Sequence, residues 1–182
     1  MAVRLAQEVV AKEPLYDMIR KLIFTGVNLV FVYGFGQPSI DDVLNQLNDQ
    51  SVAYIQVEEL SQLETAPILL DVRETAEYNV SHLNKAIHVG LNNFEISEIE
   101  SRIKDKNKRI VVYCSIGVRS EDIGKQLLAE GYTNVYNLYG GIFEWVNKGE
   151  KVYTNNLKQT PKVHAYSKKW GIYLLKGIKV YD

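Results

Sequence analysis

The chain has 182 residues, 46% of them hydrophobic, and a formal net charge of −1, enough to bury one proper core and a small appendage but not two full domains. The near-neutral charge gives no ground to expect nucleic-acid binding by the whole chain, and no Cys/His cluster has zinc spacing, so no metal and no cofactor are expected. The single cysteine, Cys114, excludes an intramolecular disulfide, so any redox chemistry at this thiol involves a small molecule or another chain.

Residues 1–36 differ from the rest. Met18-Ile19-Arg20-Lys21 is a short basic start, Leu22 to Phe35 is apolar, and Gly34 and Gly36 supply small residues before Gln37-Pro38. The pattern reads as a secretory signal peptide beginning at Met18 and cleaved after Gly36, which implies export to the periplasm or cell envelope. The acidic Glu8, Glu13 and Asp17 do not suit an n-region, so the natural start is expected downstream of Met1. At 14 residues the apolar stretch falls short of the roughly 20 needed to span a membrane. The alternative is an ordinary N-terminal helix and strand on a cytoplasmic protein.

Residues 37–150 read as one domain. Ile40, Val43, Leu44 and Leu47 predict a short amphipathic helix between Ser39 and Gln50. Strands are then expected at Ala53–Val57, Ile68–Val72, Ala86–Val89, Arg109–Tyr113 and Val135–Leu138. Helices are expected at Val57–Glu64, Glu74–Val80, Asn93–Ile103, Arg119–Glu130 and Ile142–Lys148. Short apolar strands alternating with helices give an α/β fold with an open, mostly parallel sheet, in which ligands sit outside the carboxyl ends of the strands. Residues 151–182 carry seven lysines against one acid, Asp182. A solvated lysine face is the plainest reading of such a tail, yet Tyr166, Trp170, Ile172, Tyr173, Leu174 and Leu175 are too apolar for a disordered one. A basic helical extension over His164–Leu175 is expected, packed on the domain or on a partner.

Cys114 follows the run Arg109-Ile110-Val111-Val112-Tyr113 and opens the loop Ser115-Ile116-Gly117-Val118-Arg119-Ser120. A lone cysteine is most often a small buried hydrophobe. Here a β-branched strand breaks into a Gly-containing loop that starts a helix, so the loop amides converge as an anion-binding nest. The helix start and the Arg119 guanidinium add positive potential, and together they favour a thiolate.

Three ordered segments carry a family resemblance. Leu70-Asp71-Val72-Arg73 with Glu77-Tyr78 and His82 resembles the first signature of rhodanese-like sulfurtransferases. Val112-Tyr113-Cys114 through Gly117, Arg119 and Ser120 resembles their active-site loop, and Gly131-Tyr132, Asn134-Val135, Leu138, Gly140-Gly141 and Trp145 resemble their closing strand and helix. The resemblance covers Ser51 to Gly149 and implies a five-stranded parallel sheet flanked by helices. It further implies that Cys114 takes a sulfane sulfur from a thiosulfate- or persulfide-type donor and passes it to a thiol, cyanide or protein acceptor. In that reading the backbone amides of Ser115, Ile116, Gly117, Val118, Arg119 and Ser120 hold the persulfide. Asp71 and Arg73 support the loop, with a purely structural ion pair as the alternative, and His82 is a structural histidine.

Two departures stand out. The family's Gly-His-Ile-Pro-Gly-Ala is Ser81-His82-Leu83-Asn84-Lys85-Ala86 here, and the loop residues Ser115, Ile116 and Val118 are uncharged where users of thiosulfate commonly place a basic side chain. Four residues separate Cys114 from Arg119, one fewer than in cysteine-based phosphatases, which suits sulfur better than a tetrahedral oxyanion. A module that carries or senses persulfide without turnover is the alternative from another class.

Overall fold

The computed structural model describes residues 37–92 and 94–181; the signal-like segment lies outside them. The first helix, α1 (Ile40–Leu47), starts at a capping box in which Ser39 Oγ accepts from the Asp42 amide and Asp42 Oδ2 accepts from the Ser39 amide. Its Val43 and Leu44 are buried, as the apolar spacing predicts. Then follow β1 (Ala53–Ile55), α2 (Val57–Ser61), β2 (Ile68–Asp71), α3 (Thr75–Val80), β3 (Ile87–His88), α4 (Ile96–Arg102), β4 (Ile110–Tyr113), α5 (Arg119–Ala129), β5 (Val135–Leu138) and α6 (Gly141–Asn147). Strands and helices fall where the pattern places them, most with shorter ends.

The five strands form one parallel sheet in the order β1-β5-β4-β2-β3. The central strand β4 is buried throughout. Because successive side chains on a strand point to opposite faces, Val111 and Tyr113 enter one core, with Ile55, Leu138, Ile142 and Phe143, while Ile110 and Val112 enter the other, with Leu70, Ile123 and Leu127. Helices cover both faces, the condition under which a parallel sheet is stable. The turn between α3 and β3 is made without the family's glycines, and Lys85 adopts φ +60° there, a left-handed conformation that costs a side-chain-bearing residue free energy.

The C-terminal segment differs from expectation. It contains β6 (Val152–Tyr153) paired antiparallel with β7 (Gln159–Thr160), then β8 (Lys162–His164) paired parallel with β9 (Ile178–Val180), with a 3-10 turn at Gly171–Tyr173 between them. No α-helix forms over 164–175. Val163, Ala165, Tyr173 and Leu174 do join the main core, but as a strand end and a turn, because Tyr166 takes φ +63° directly after the strand and the Ser167 amide folds back on the Ala165 carbonyl at 2.7 Å, a left-handed turn that no α-helix contains.

Asn147, at the end of α6, fastens this segment. Its Nδ2 donates to the Tyr173 carbonyl at 2.9 Å, and its Oδ1 accepts from the Leu175 and Lys176 amides at 2.7 and 3.2 Å. Replacing Asn147 by Ala is expected to cost about 1–2 kcal/mol and to open residues 170–181 to protease before the sheet unfolds. Unchanged resistance to limited proteolysis would show that the segment does not depend on this side chain.

Candidate functional site

Cys114 stands directly beyond β4, at the carboxyl edge of the sheet where parallel folds bind ligands. Its thiol is 1% exposed and accepts a hydrogen bond from the Gly117 amide, N to Sγ 3.1 Å. Gly117 has φ +99°, and a Cβ there would press on the Leu138 carbonyl at 3.3 Å, so the turn that aims this amide at sulfur requires glycine. The amides of Ser115, Ile116 and Val118 make no hydrogen bond to other described residues.

Four of the loop carbonyls, those of Cys114, Ser115, Gly117 and Val118, are by contrast engaged. The Ile142 and Phe143 amides, in the first turn of α6, donate to the Cys114 and Ser115 carbonyls at 2.9 and 3.1 Å. The Gly117 carbonyl accepts from Asn48 Nδ2 at 2.9 Å and Asn137 Nδ2 at 2.8 Å, and the Val118 carbonyl accepts from the Glu121 amide at 3.2 Å. With these carbonyls engaged, the loop keeps its amides for the thiol and whatever anion sits upon it. Ile116 and Val118 pack into the core and hold the loop down rather than facing a reactant. Ser120 Oγ donates to Asn137 Oδ1 at 2.7 Å, which orients the amide that holds Gly117.

Arg119 is not the solvated first-turn arginine that its position alone allows. Its Nη1 and Nη2 donate to Glu77 Oε2 and Oε1 at 2.7 and 2.8 Å, and Nη2 also reaches Ser115 Oγ at 2.9 Å. Ser115 Oγ in turn donates to Glu77 Oε1 at 2.8 Å. Burial works against the Arg119 charge, but the Glu77 hydrogen bonds and the nearby Cys114 charge outweigh it and hold the guanidinium above its ordinary value. Burial likewise opposes ionisation of Glu77, and the Arg119 hydrogen bonds and charge overcome it, leaving the carboxyl below its ordinary value.

Asp71 and Arg73 form a fully buried pair, with Nε and Nη2 of Arg73 on Oδ1 and Oδ2 of Asp71 at 2.9 and 2.6 Å. Arg73 Nη2 also donates to the Ser81 carbonyl at 2.7 Å, and its guanidinium lies 5.8 Å from the Tyr113 ring centre. The pair therefore bears on the residue before Cys114 and on the end of α3, while Glu77 is the acid that braces the loop itself. Sequence reasoning placed Glu77 in a motif without giving it this role, and it missed Asn48 and Asn137. Only their bonds to the Gly117 carbonyl mark those two side chains as parts of the site. His82 bonds the Leu83 carbonyl through Nδ1 at 2.9 Å and stacks on Tyr78 at 4.1 Å, while its buried Nε2 has no hydrogen-bond partner among the described residues. No group of three or more potential metal ligands occurs among the described residues.

Comparison with known proteins bears on the family and the fold. The family model described as "Rhodanese-like domain" matches residues 56–148. The tRNA uridine(34) hydroxylase of Photorhabdus laumondii is 33% identical over 103 residues, covering 54% of this chain and 29% of that protein. The protein of the same name from Yersinia pestis is 32% identical over the same shares. The chain thus spans under a third of the curated relatives it matches. A thiosulfate sulfurtransferase structure from Pseudomonas aeruginosa superposes with a TM-score of 0.54 at 20% identity, over 69% of this chain and 24% of that one, a likeness of fold.

Two outcomes follow. Gly141 has φ +57°, and a Cβ there would lie 2.3 Å from the Cys114 carbonyl oxygen, so Gly141→Ala is expected to lose at least about 2 kcal/mol in denaturant unfolding; a loss below about 0.5 kcal/mol would mean that α6 does not clamp the loop. Glu77 ionises more readily folded than at its ordinary value of 4.5. Its stabilisation is therefore complete above pH 4.5 and lost as pH falls through the lower folded value. Glu77→Gln should lack this contribution, so its stability falls less steeply with acid than wild type; parallel curves would refute it.

Proposed function

The chain belongs to the rhodanese-like domain family, and on that footing we propose that it is a sulfurtransferase working through a persulfide on Cys114. The observation that carries the proposal is the Gly117 amide on Cys114 Sγ, in a loop where the Cys114, Ser115, Gly117 and Val118 carbonyls are bonded and the Ser115, Ile116 and Val118 amides have no hydrogen-bond partner among the described residues. The Cys114 thiolate attacks the outer sulfur of the donor. A new S–S bond forms as the donor's S–S bond breaks, and the electron pair leaves on sulfite from thiosulfate or on a thiolate from a persulfide. The terminal sulfur now carries the negative charge, which the loop amides stabilise without blocking its approach. An acceptor thiolate or cyanide then attacks that sulfur, and the electrons of the broken bond return to Cys114.

Neither transfer requires a side-chain base, which is consistent with the bonding of the nearby acids. Asp71 is spent on Arg73 and Glu77 on Arg119 and Ser115. Small-molecule donors, thiol or cyanide acceptors and a protein acceptor all suit this chemistry. The relatives named tRNA uridine(34) hydroxylases support a second reading, in which this domain serves a tRNA-modifying activity.

Intact-mass measurement tests the first reading. Thiosulfate or polysulfide should add about 32 Da at Cys114, cyanide should remove it as thiocyanate, and Cys114→Ser should stay folded and take up nothing. No mass gain with either donor would overturn the sulfurtransferase. Labelling without turnover in cyanide would mark a carrier or sensor instead, and hydroxylated uridine 34 in supplied tRNA without sulfur uptake would favour the second reading.

A further inference from the structure

Tyr166 lies outside the segment matched by the family, yet it reaches the reactive loop. Its ring stands over the Arg119 guanidinium, with Cζ 4.8 Å from the ring centre. Strand β8, two residues before it, lies against α3, the helix that supplies Glu77. The ring is held there by its surroundings rather than by its own preference. Tyr166 has φ +63°, and the Ser167 amide donates across it to the Ala165 carbonyl at 2.7 Å, a γ-turn of the strained, positive-φ kind. The Tyr166 amide is fixed to His164 Nδ1 at 3.1 Å, the Ala165 amide to the Val180 carbonyl at 2.9 Å, and the Ser167 carbonyl accepts from the Gly171 amide at 2.7 Å. Helix α6 ties the two regions together, since its first turn holds the loop carbonyls and its last residue, Asn147, fastens Tyr173, Leu175 and Lys176. Strain that persists under such bracing is characteristic of ligand clamps.

The arrangement decides what charge the site presents. The two terminal nitrogens of Arg119 face Glu77 and Ser115, and one face of the guanidinium lies under the Tyr166 ring. The cation that would receive a second negative charge is thus matched by a carboxylate and covered by an aromatic surface. Tyr166 is itself 40% exposed, so ring surface remains open to solvent. Lysines of the same segment, Lys168 and Lys169 among them, attract anions from a distance.

We propose that Tyr166 is a specificity-determining residue that favours sulfane-sulfur donors carrying one negative charge and an apolar or aromatic body over the dianion thiosulfate. The donor's single charge goes to the loop amides and its body packs on the exposed ring. This inference rests on the sulfurtransferase reading and names the donor class for it.

Three donors with one leaving chemistry test it in the full chain: thiosulfate, methanethiosulfonate and benzenethiosulfonate, each with cyanide as acceptor. Tyr166→Gly is the informative variant, because glycine tolerates the positive φ while removing the ring. The ratio of kcat/KM for benzenethiosulfonate to that for thiosulfate is expected to fall about fivefold or more in Tyr166→Gly. KM should rise for the aromatic donor and fall for thiosulfate, with kcat held. Tyr166→Phe should restore the wild-type ratio, since the contact with the cation needs the ring and not the hydroxyl. An unchanged ratio in Tyr166→Gly, or equal shifts in the glycine and phenylalanine variants, overturns the proposal alone. A wild-type protein that takes sulfur from polysulfide but from none of the three overturns this proposal alone, and one that takes it from neither overturns the sulfurtransferase reading and this one with it.

Discussion

The site depends on where the carbonyls after β4 point. A backbone loop can present its amides to an anion only if its carbonyl oxygens, equally polar and opposite in sign, are satisfied elsewhere. The first turn of α6 does this for Cys114 and Ser115, using amides that a helix start leaves without intrahelical partners. The approach is so close that no side chain fits at Gly141, which takes a left-handed conformation to allow it. A second contact, the pair of carboxamides from Asn48 and Asn137, secures the Gly117 carbonyl on the far side of the loop. The reactive geometry is therefore imposed on the loop by neighbours from three other parts of the chain.

Two buried ion pairs divide the electrostatic labour. Arg73 and Asp71 share a site with no exposure at all, and removing either would strand a charge at a cost of about 3–5 kcal/mol. Their partners are the Ser81 carbonyl and the Tyr113 ring, so they fix the sheet end from which Cys114 emerges. Arg119 and Glu77 lie nearer the surface, at the loop itself, and include Ser115 in a closed triangle of hydrogen bonds. That triangle keeps a positive charge beside the thiol while binding its terminal nitrogens to protein. Positive potential is available to the sulfur, but a free cationic prong is not.

The C-terminal segment extends the same logic beyond the family's common domain. It places Val163, Ala165, Tyr173 and Leu174 in the core and a tyrosine ring over the loop arginine. Its lysines remain outside, while its apolar residues divide between the core and an exposed group that includes Ile172, Leu175 and Ile178. The segment thus acts as a structural part of the domain, with Asn147 fastening Tyr173, Leu175 and Lys176 to the end of α6.

Periodicity and residue type determined much of this protein directly. The β-branched runs at 68–72 and 109–113 and the apolar spacing of α1 and α5 placed the sheet and its helices, because burial on one or two faces leaves a local signature of period 2 or 3.6. The position of Cys114 between a strand and a Gly-containing loop identified the candidate nucleophile for the same reason: strand, turn and helix start are written in consecutive residues. Tertiary structure decided what consecutive residues do not encode. Glu77 meets Arg119 across 42 positions and Asn48 meets Gly117 across 69, and neither pairing leaves a trace in local pattern. The apolar residues of 164–175 repeat at helical spacing, yet Tyr166 turns the backbone to φ +63° just after β8 pairs with β9, and only in that turn does Tyr166 come to rest on Arg119.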